Sequence, residues 1–178
     1  GNETIAVLIS DTMNDIRTYG QAYVDGCDFS PAPTPCSGPG EVIYFNGLEY
    51  FGGSQADLDF FSTNYYPGNI LHEAVHILQQ SHAFRALGEA RHFGTPAFVS
   101  EGQAELAKLL TGGRYEAVWT AIGNQLRNPE QEQASPWFRI YSLDALLALY
   151  VHQYAGAGAT QRVIDAAYAD DRTSAGIL

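Results

Sequence analysis

The chain of 178 residues contains a single lysine, Lys108, and carries a formal net charge of −11. Nucleic acids and anionic membrane surfaces both require basic patches on the protein that binds them, so neither is an expected partner. No apolar run approaches the roughly 18 residues that a membrane span requires, and membrane insertion is therefore not expected. The composition favours a globular protein with an acidic surface.

Two further features are missing from the sequence. No signal peptide is visible, but a mature chain would have lost one, and the acidic composition fits a secreted, extracellular or periplasmic location. No loop has the regular acidic spacing of a calcium hand, so Ca²⁺ has no motif to support it. Cysteine is scarce, with only Cys27 and Cys36, which have eight residues between them in a proline-rich segment. We favour a disulfide between them over two free thiols in a cytosolic loop.

Hydrophobic patterns predict a small N-terminal sheet followed by a mostly helical body. Thr4–Ser10 reads as a buried strand and Glu41–Gly47 as a second strand, with a short third strand at Leu48–Phe51. We therefore expect an α+β fold with one compact domain over residues 1–178, strand-containing at 1–66 and helical at 67–178. Helices are predicted at Asp11–Val24, Ser54–Tyr65, from Pro67 onwards, and at about Pro96–Leu110, Tyr115–Leu126, Pro136–Tyr154 and Ala159–Ala169.

Residues 70–82 read ILHEAVHILQQSH. On a helix, positions i and i+4 share one face, so His72 and His76 can offer two imidazole nitrogens to one zinc ion. Glu73 lies about 100 degrees around the helix from His72 and can act as general base on a water at the metal. Three apolar residues are predicted to form the buried side of this helix: Leu71, Val75 and Leu78.

His82 is one candidate for the third metal ligand. Its spacing fits the metzincin pattern HExxHxxGxxH, in which the glycine lets the chain turn and bring the last histidine to the metal. Here the glycine position holds Gln79, a good helix former that disfavours such a turn. The pattern also requires a downstream methionine turn, and the only methionine, Met13, lies upstream. The residues therefore argue against His82.

Glu101, in the stretch FVSEGQAELAKLL, is the other candidate. The 24 residues between His76 and Glu101 leave room for a loop and a returning helix. Glu105, one turn further on, can accept a hydrogen bond from the distal N–H of a zinc-bound histidine and fix its tautomer. Pairing of Glu105 with Lys108 is the structural alternative.

The phrases HEAVHILQQ and FVSEGQAELAKLL together resemble the gluzincin zinc peptidases, and most closely the bacterial collagenase-type and related small peptidase domains. The resemblance is specific over Pro67–Leu110 and looser over Tyr141–Gly156. It implies a zincin-like fold and one catalytic Zn²⁺, and a structural Ca²⁺ stays open although no motif supports it. The residues take the following implied roles: His72, His76 and Glu101 as ligands, Glu73 as general base, and Glu105 as the acid that supports a ligand histidine.

A tyrosine-bearing helix at YSLDALLALYVHQYAG is also similar to one in such domains. The similarity implies that Tyr141 stabilises the oxyanion, with His152 as runner-up and a plain core role as the alternative. A peptide or protein substrate would lie along a sheet edge, for which residues 41–51 are the candidate, unless they form a structural hairpin.

Three functions therefore compete. A zinc peptidase is the leading interpretation, and a zinc-binding or inactive peptidase-like domain that serves as an interaction or regulatory module is the second. A zinc hydrolase acting on another acyl bond is the third. The sequence leaves open the substrate preference, internal or terminal cleavage, the oligomeric state, and whether the chain is a piece of a longer protein.

Overall fold

The structure is a computed structural model, and it describes residues 5–10, 22–24, 42–47, 54–64, 66–87, 97–111, 116–127 and 136–168. The chain divides into two compact units, Gly1–His92 and Phe93–Leu178. Helices dominate, and a small sheet lies in the first unit, so the predicted α+β layout is confirmed. A single catalytic domain over residues 1–178 stays a prediction.

The sheet of the first unit has three strands in the order β1-β3-β2. Strand β1 (Ala6–Ser10) runs parallel to β3 (Val42–Asn46), while β2 (Ala22–Val24) pairs with β3 in the antiparallel sense. The registers align Leu8 and Tyr23 with Tyr44 of the central strand. Alternate residues of β3 point to the same face.

Two helices accompany the sheet. Helix α1 (Gln55–Asn64), predicted over Ser54–Tyr65, is capped by Ser54, whose Oγ accepts a hydrogen bond from the backbone N–H of Asp57 at 3.2 Å. Helix α2 (Tyr66–Leu87) packs against α1, β2 and β3. The core of this unit comprises Ile43, Phe45, Tyr66 and Ile77, with Val24 and Ala74 packed against it.

The second unit is helical within the residues that are described. Its helices are α3 (Ala97–Leu110), α4 (Glu116–Arg127), α5 (Pro136–Ala155) and α6 (Ala157–Tyr168). Helix α5 packs against the other three, and most extensively against α3. Small residues on α3 and α5 are fully or almost fully buried, among them Ala104, Ala145 and Ala148. All four helices were predicted to within about two residues of their bounds.

Three predictions about the sheet are wrong. Ala22–Val24 is a strand and does not end a helix, because pairing with β3 determines its conformation. Strand β1 was expected to be buried, yet Val7, Leu8 and Ile9 are exposed, because β1 packs extensively only against β3 and not against any of the described helices. The predicted substrate edge at residues 41–51 is wrong for β3, which has a strand hydrogen-bonded on each side.

Several predictions fall outside the described residues. They concern the disulfide between Cys27 and Cys36, the loop around it, the strand at Leu48–Phe51 and the helix from Asp11 to residue 21. In the described part of the chain, no helix combines the length and the apolar character needed to cross a membrane.

Candidate metal centre

The buried face of helix α2 is largely polar. His72, Glu73 and His76 are each only 5 to 6% exposed, whereas Leu78, predicted to lie on the buried side, is 68% exposed. The prediction was wrong because Glu73, Ile77 and Gln80 follow one another at helical spacing, and this is the face that the protein covers. Polar and charged side chains are rarely buried without a partner or a functional reason.

His72 and His76 bring their Nε2 atoms together. These two nitrogens lie 3.0 Å apart, and the imidazole rings are nearly perpendicular at 81°. Two nitrogens bound to one tetrahedral zinc at about 2.05 Å would lie roughly 3.3 Å apart. The pair is therefore within a few tenths of an ångström of the separation that two zinc ligands need.

Gln79 contacts His76 from further along the helix. Its Oε1 lies 2.8 Å from Nδ1 of His76, and the contact is buried. The sequence argument used Gln79 only as evidence against a turn, and the structure confirms that α2 continues through it to Leu87. The overlooked signal was spacing, because a residue at i+3 from a ligand histidine lies on the same helix face.

Glu101 completes the set of donors. One ligand atom from each of His72, His76 and Glu101 lies within 4.8 Å of the other two, and this group can hold a metal ion. Two imidazole nitrogens and one carboxylate oxygen are ligands that zinc accepts in catalytic sites, where the fourth position is kept for water or substrate. His82, also on α2, is exposed to solvent.

Glu105 forms an ion pair with Lys108. The Lys108 Nζ atom lies 2.6 Å from Oε1 of Glu105, and both residues are almost completely buried. This is the structural alternative that the i, i+3 spacing allowed. The role predicted for Glu105 beside a ligand histidine stays a prediction.

Helix α5 brings an unpredicted acid close to Glu101. Burial first, and then the negative charge of Glu101, raise the pKa of Asp144 from 3.8 to about 6. Gly102 allows α3 and α5 to approach at this level, since a Cβ atom on it would lie 2.6 Å from the backbone oxygen of Asp144. The signal in the sequence was a lone acid within the otherwise apolar run LDALLALY.

The two candidates for oxyanion stabilisation both lie on α5. The backbone of Tyr141 is in this helix, but its side chain is outside what the structure describes, so its role stays a prediction. His152 is half-buried, three residues before the end of the helix.

No protein-family model matches the chain, and no curated protein or solved structure is significantly similar to it. The resemblance to the gluzincins therefore rests on the residues themselves and on the group that they form.

Proposed function

We propose that the chain is a zinc-dependent peptidase with a gluzincin-type site in a zincin-like fold. The observation that carries the proposal is the pair of Nε2 atoms of His72 and His76, 3.0 Å apart on a buried helix face that also buries Glu73. Two histidines that served only the core would not require this convergence, nor a carboxylate beside it.

The donor set supports zinc rather than a harder cation. Calcium and magnesium favour sites made of oxygen ligands, whereas two imidazoles with one carboxylate suit zinc. In this proposal His72, His76 and Glu101 hold the ion. When bound, zinc supplies Lewis-acid polarisation of the substrate carbonyl and lowers the pKa of the attacking water.

Glu73 is the proposed general base, which accepts the proton of the attacking water. It follows His72 directly, about 100 degrees around the helix, so its carboxylate can reach a water at the metal without replacing a ligand. Its burial removes competing solvent from the carboxylate. Glu73 takes the proton of the attacking water and then passes it to the leaving amine, a general acid–base role typically worth 10²- to 10⁴-fold in rate.

Tyr141 is the proposed donor to the oxygen that becomes negative during the attack. A single donor of this kind is typically worth roughly 3 kcal/mol of transition-state stabilisation. The substrate is a peptide or protein, and the proposed location is extracellular or periplasmic. Glu105 keeps its proposed role as a support for a ligand histidine, alongside its ion pair with Lys108.

Two measurements on matched variants test the proposal. Glu73→Gln is expected to keep zinc while cleavage of a broad fluorogenic peptide library falls by about 10² or more, because the base is lost but the ligands remain. Glu101→Ala is expected to lose zinc on dialysis against a weak chelator. His82→Ala is the control and should keep it.

The results separate the competing interpretations. Normal turnover by Glu73→Gln would remove Glu73 as the base. Zinc loss from His82→Ala and not from Glu101→Ala would assign the site to the metzincin pattern. A protein that takes up zinc but cleaves no peptide would be a binding or regulatory module, and hydrolysis of esters alone would indicate a different zinc hydrolase.

A further inference from the structure

We propose that Gln79 is a positioning residue that fixes the tautomer of His76 and so keeps its Nε2 atom ready for a metal ion. The inference rests on the proposed metal site and adds a residue to it. Its basis is the buried contact of 2.8 Å between Oε1 of Gln79 and Nδ1 of His76.

The chemistry of the Gln79 amide and the His76 imidazole determines which of them donates the hydrogen bond. An amide oxygen can only accept a hydrogen bond, so Nδ1 of His76 must be the donor. A neutral imidazole carries one proton, and with that proton on Nδ1 the Nε2 atom bears a lone pair. A metal ion requires this form. The amide nitrogen of Gln79 in the same place would donate to Nδ1 and force the proton onto Nε2, where it would block the ligand.

The contact also makes the two histidines unequal. Nε2 of His76 lies 3.0 Å from Nε2 of His72, a hydrogen-bond distance. Because Nε2 of His76 bears a lone pair, it accepts this hydrogen bond. In the metal-free protein Nε2 of His72 therefore carries the proton and donates it. A metal ion on Nε2 of His72 would require the proton of that neutral ring to move to Nδ1, whereas His76 already has the tautomer that Gln79 gave it.

Helical spacing explains how one helix supplies both the ligand and its support. Residues at i and i+3 are neighbours on the helix surface, so Gln79 reaches His76 without any other element. Gln79 is 6% exposed, and water therefore competes poorly for the amide oxygen. Outer partners that accept from a ligand histidine typically contribute 10- to 100-fold to metal affinity.

Three variants test the role. Gln79→Met keeps the length of the side chain and removes the acceptor, and zinc affinity is expected to fall about 10- to 100-fold. Gln79→Glu keeps an oxygen acceptor and should bind zinc at least as tightly as the unaltered protein. Gln80→Met is the matched control, since Gln80 is also buried on α2 and its Oε1 has no hydrogen-bond partner among the described residues.

Zinc affinity is measured by competition with a chromophoric chelator, and the Co²⁺ absorption spectrum reports the ligand geometry. Gln79→Met is expected to show both a weaker affinity and an altered Co²⁺ spectrum, and Gln80→Met neither. Equal affinities for Gln79→Met and the unaltered protein would overturn the proposal, as would an equal loss in both methionine variants.

A measurement on the unaltered protein keeps the proposal testable if Gln79→Met does not fold. Long-range ¹H–¹⁵N spectra of the metal-free protein should show His76 protonated on Nδ1, and protonation on Nε2 would refute the role of Gln79. If the unaltered protein takes up neither zinc nor cobalt, the peptidase proposal fails and the role of Gln79 fails with it. If the unaltered protein and Gln79→Met take up the metal equally well, only the role of Gln79 is refuted.

Discussion

Gly102 allows a direct test of the packing beside Glu101. A Cβ atom at this position would lie 2.6 Å from the backbone oxygen of Asp144, and 3.0 Å from the carbonyl carbon. Ordinary contacts begin at 3.4 Å, so helices α3 and α5 would have to separate by about 0.8 Å locally. The obstacle is backbone, which cannot rotate away as a side chain can.

The expected cost of Gly102→Ala follows from two opposing effects. Alanine is favoured over glycine inside a helix by up to about 1 kcal/mol. Overpacking a close contact typically costs 1–3 kcal/mol, and a backbone obstacle puts this case in the upper part of that range. We therefore expect a net loss of about 1–2 kcal/mol in the free energy of unfolding.

Gly123→Ala is the matched control. Gly123 also lies inside a helix, α4, but the nearest atom to its added Cβ is the flexible Arg127 guanidinium at 3.6 Å, an ordinary contact. This variant should gain up to about 1 kcal/mol. Urea denaturation followed by circular dichroism measures both changes. Equal stabilisation by the two alanines would refute the argument that α3 and α5 are held at this distance.

Two further predictions concern charged side chains in the second unit. Lys108→Met removes the cation beside Glu105 and is expected to cost about 3–5 kcal/mol in urea denaturation, whereas the double variant with Glu105→Gln should recover most of the loss. Equal stability of the single and double variants would contradict this. The raised pKa of Asp144 means that the folded state binds the extra proton between pH 3.8 and about 6, so stability falls as the pH rises through this window. Asp144→Asn should flatten that part of the profile in metal-free protein, and an unchanged slope would exclude Asp144 as its source.

The local patterns of the sequence predicted the helices well. Apolar residues at helical spacing are local signals, and they placed α1, the start of α2 and the four later helices close to their observed bounds. The spacing of His72, Glu73 and His76 likewise depends only on helix geometry. Glu101 was reached through chemistry and resemblance, and the structure places one of its oxygen atoms within 4.8 Å of ligand atoms of both histidines.

Predictions that depend on distant partners were less successful. Whether β3 is central or an edge is decided by which strands pair with it, and a strand pattern does not contain that information. The burial of Gln79 and the exposure of Leu78 depend in the same way on what covers α2. Residue type alone made Leu78 the better core candidate, and so the contact between Gln79 and His76 was not foreseen.

The burial of Lys108 has a practical consequence for measuring local stability. A protease that cleaves only after lysine has a single site in this chain, the Lys108–Leu109 bond, which lies inside α3. Because the lysine is only 4% exposed, cleavage requires this helix to open. The cleavage rate under native conditions therefore reports the free energy of opening at one known place, without any label or engineered site.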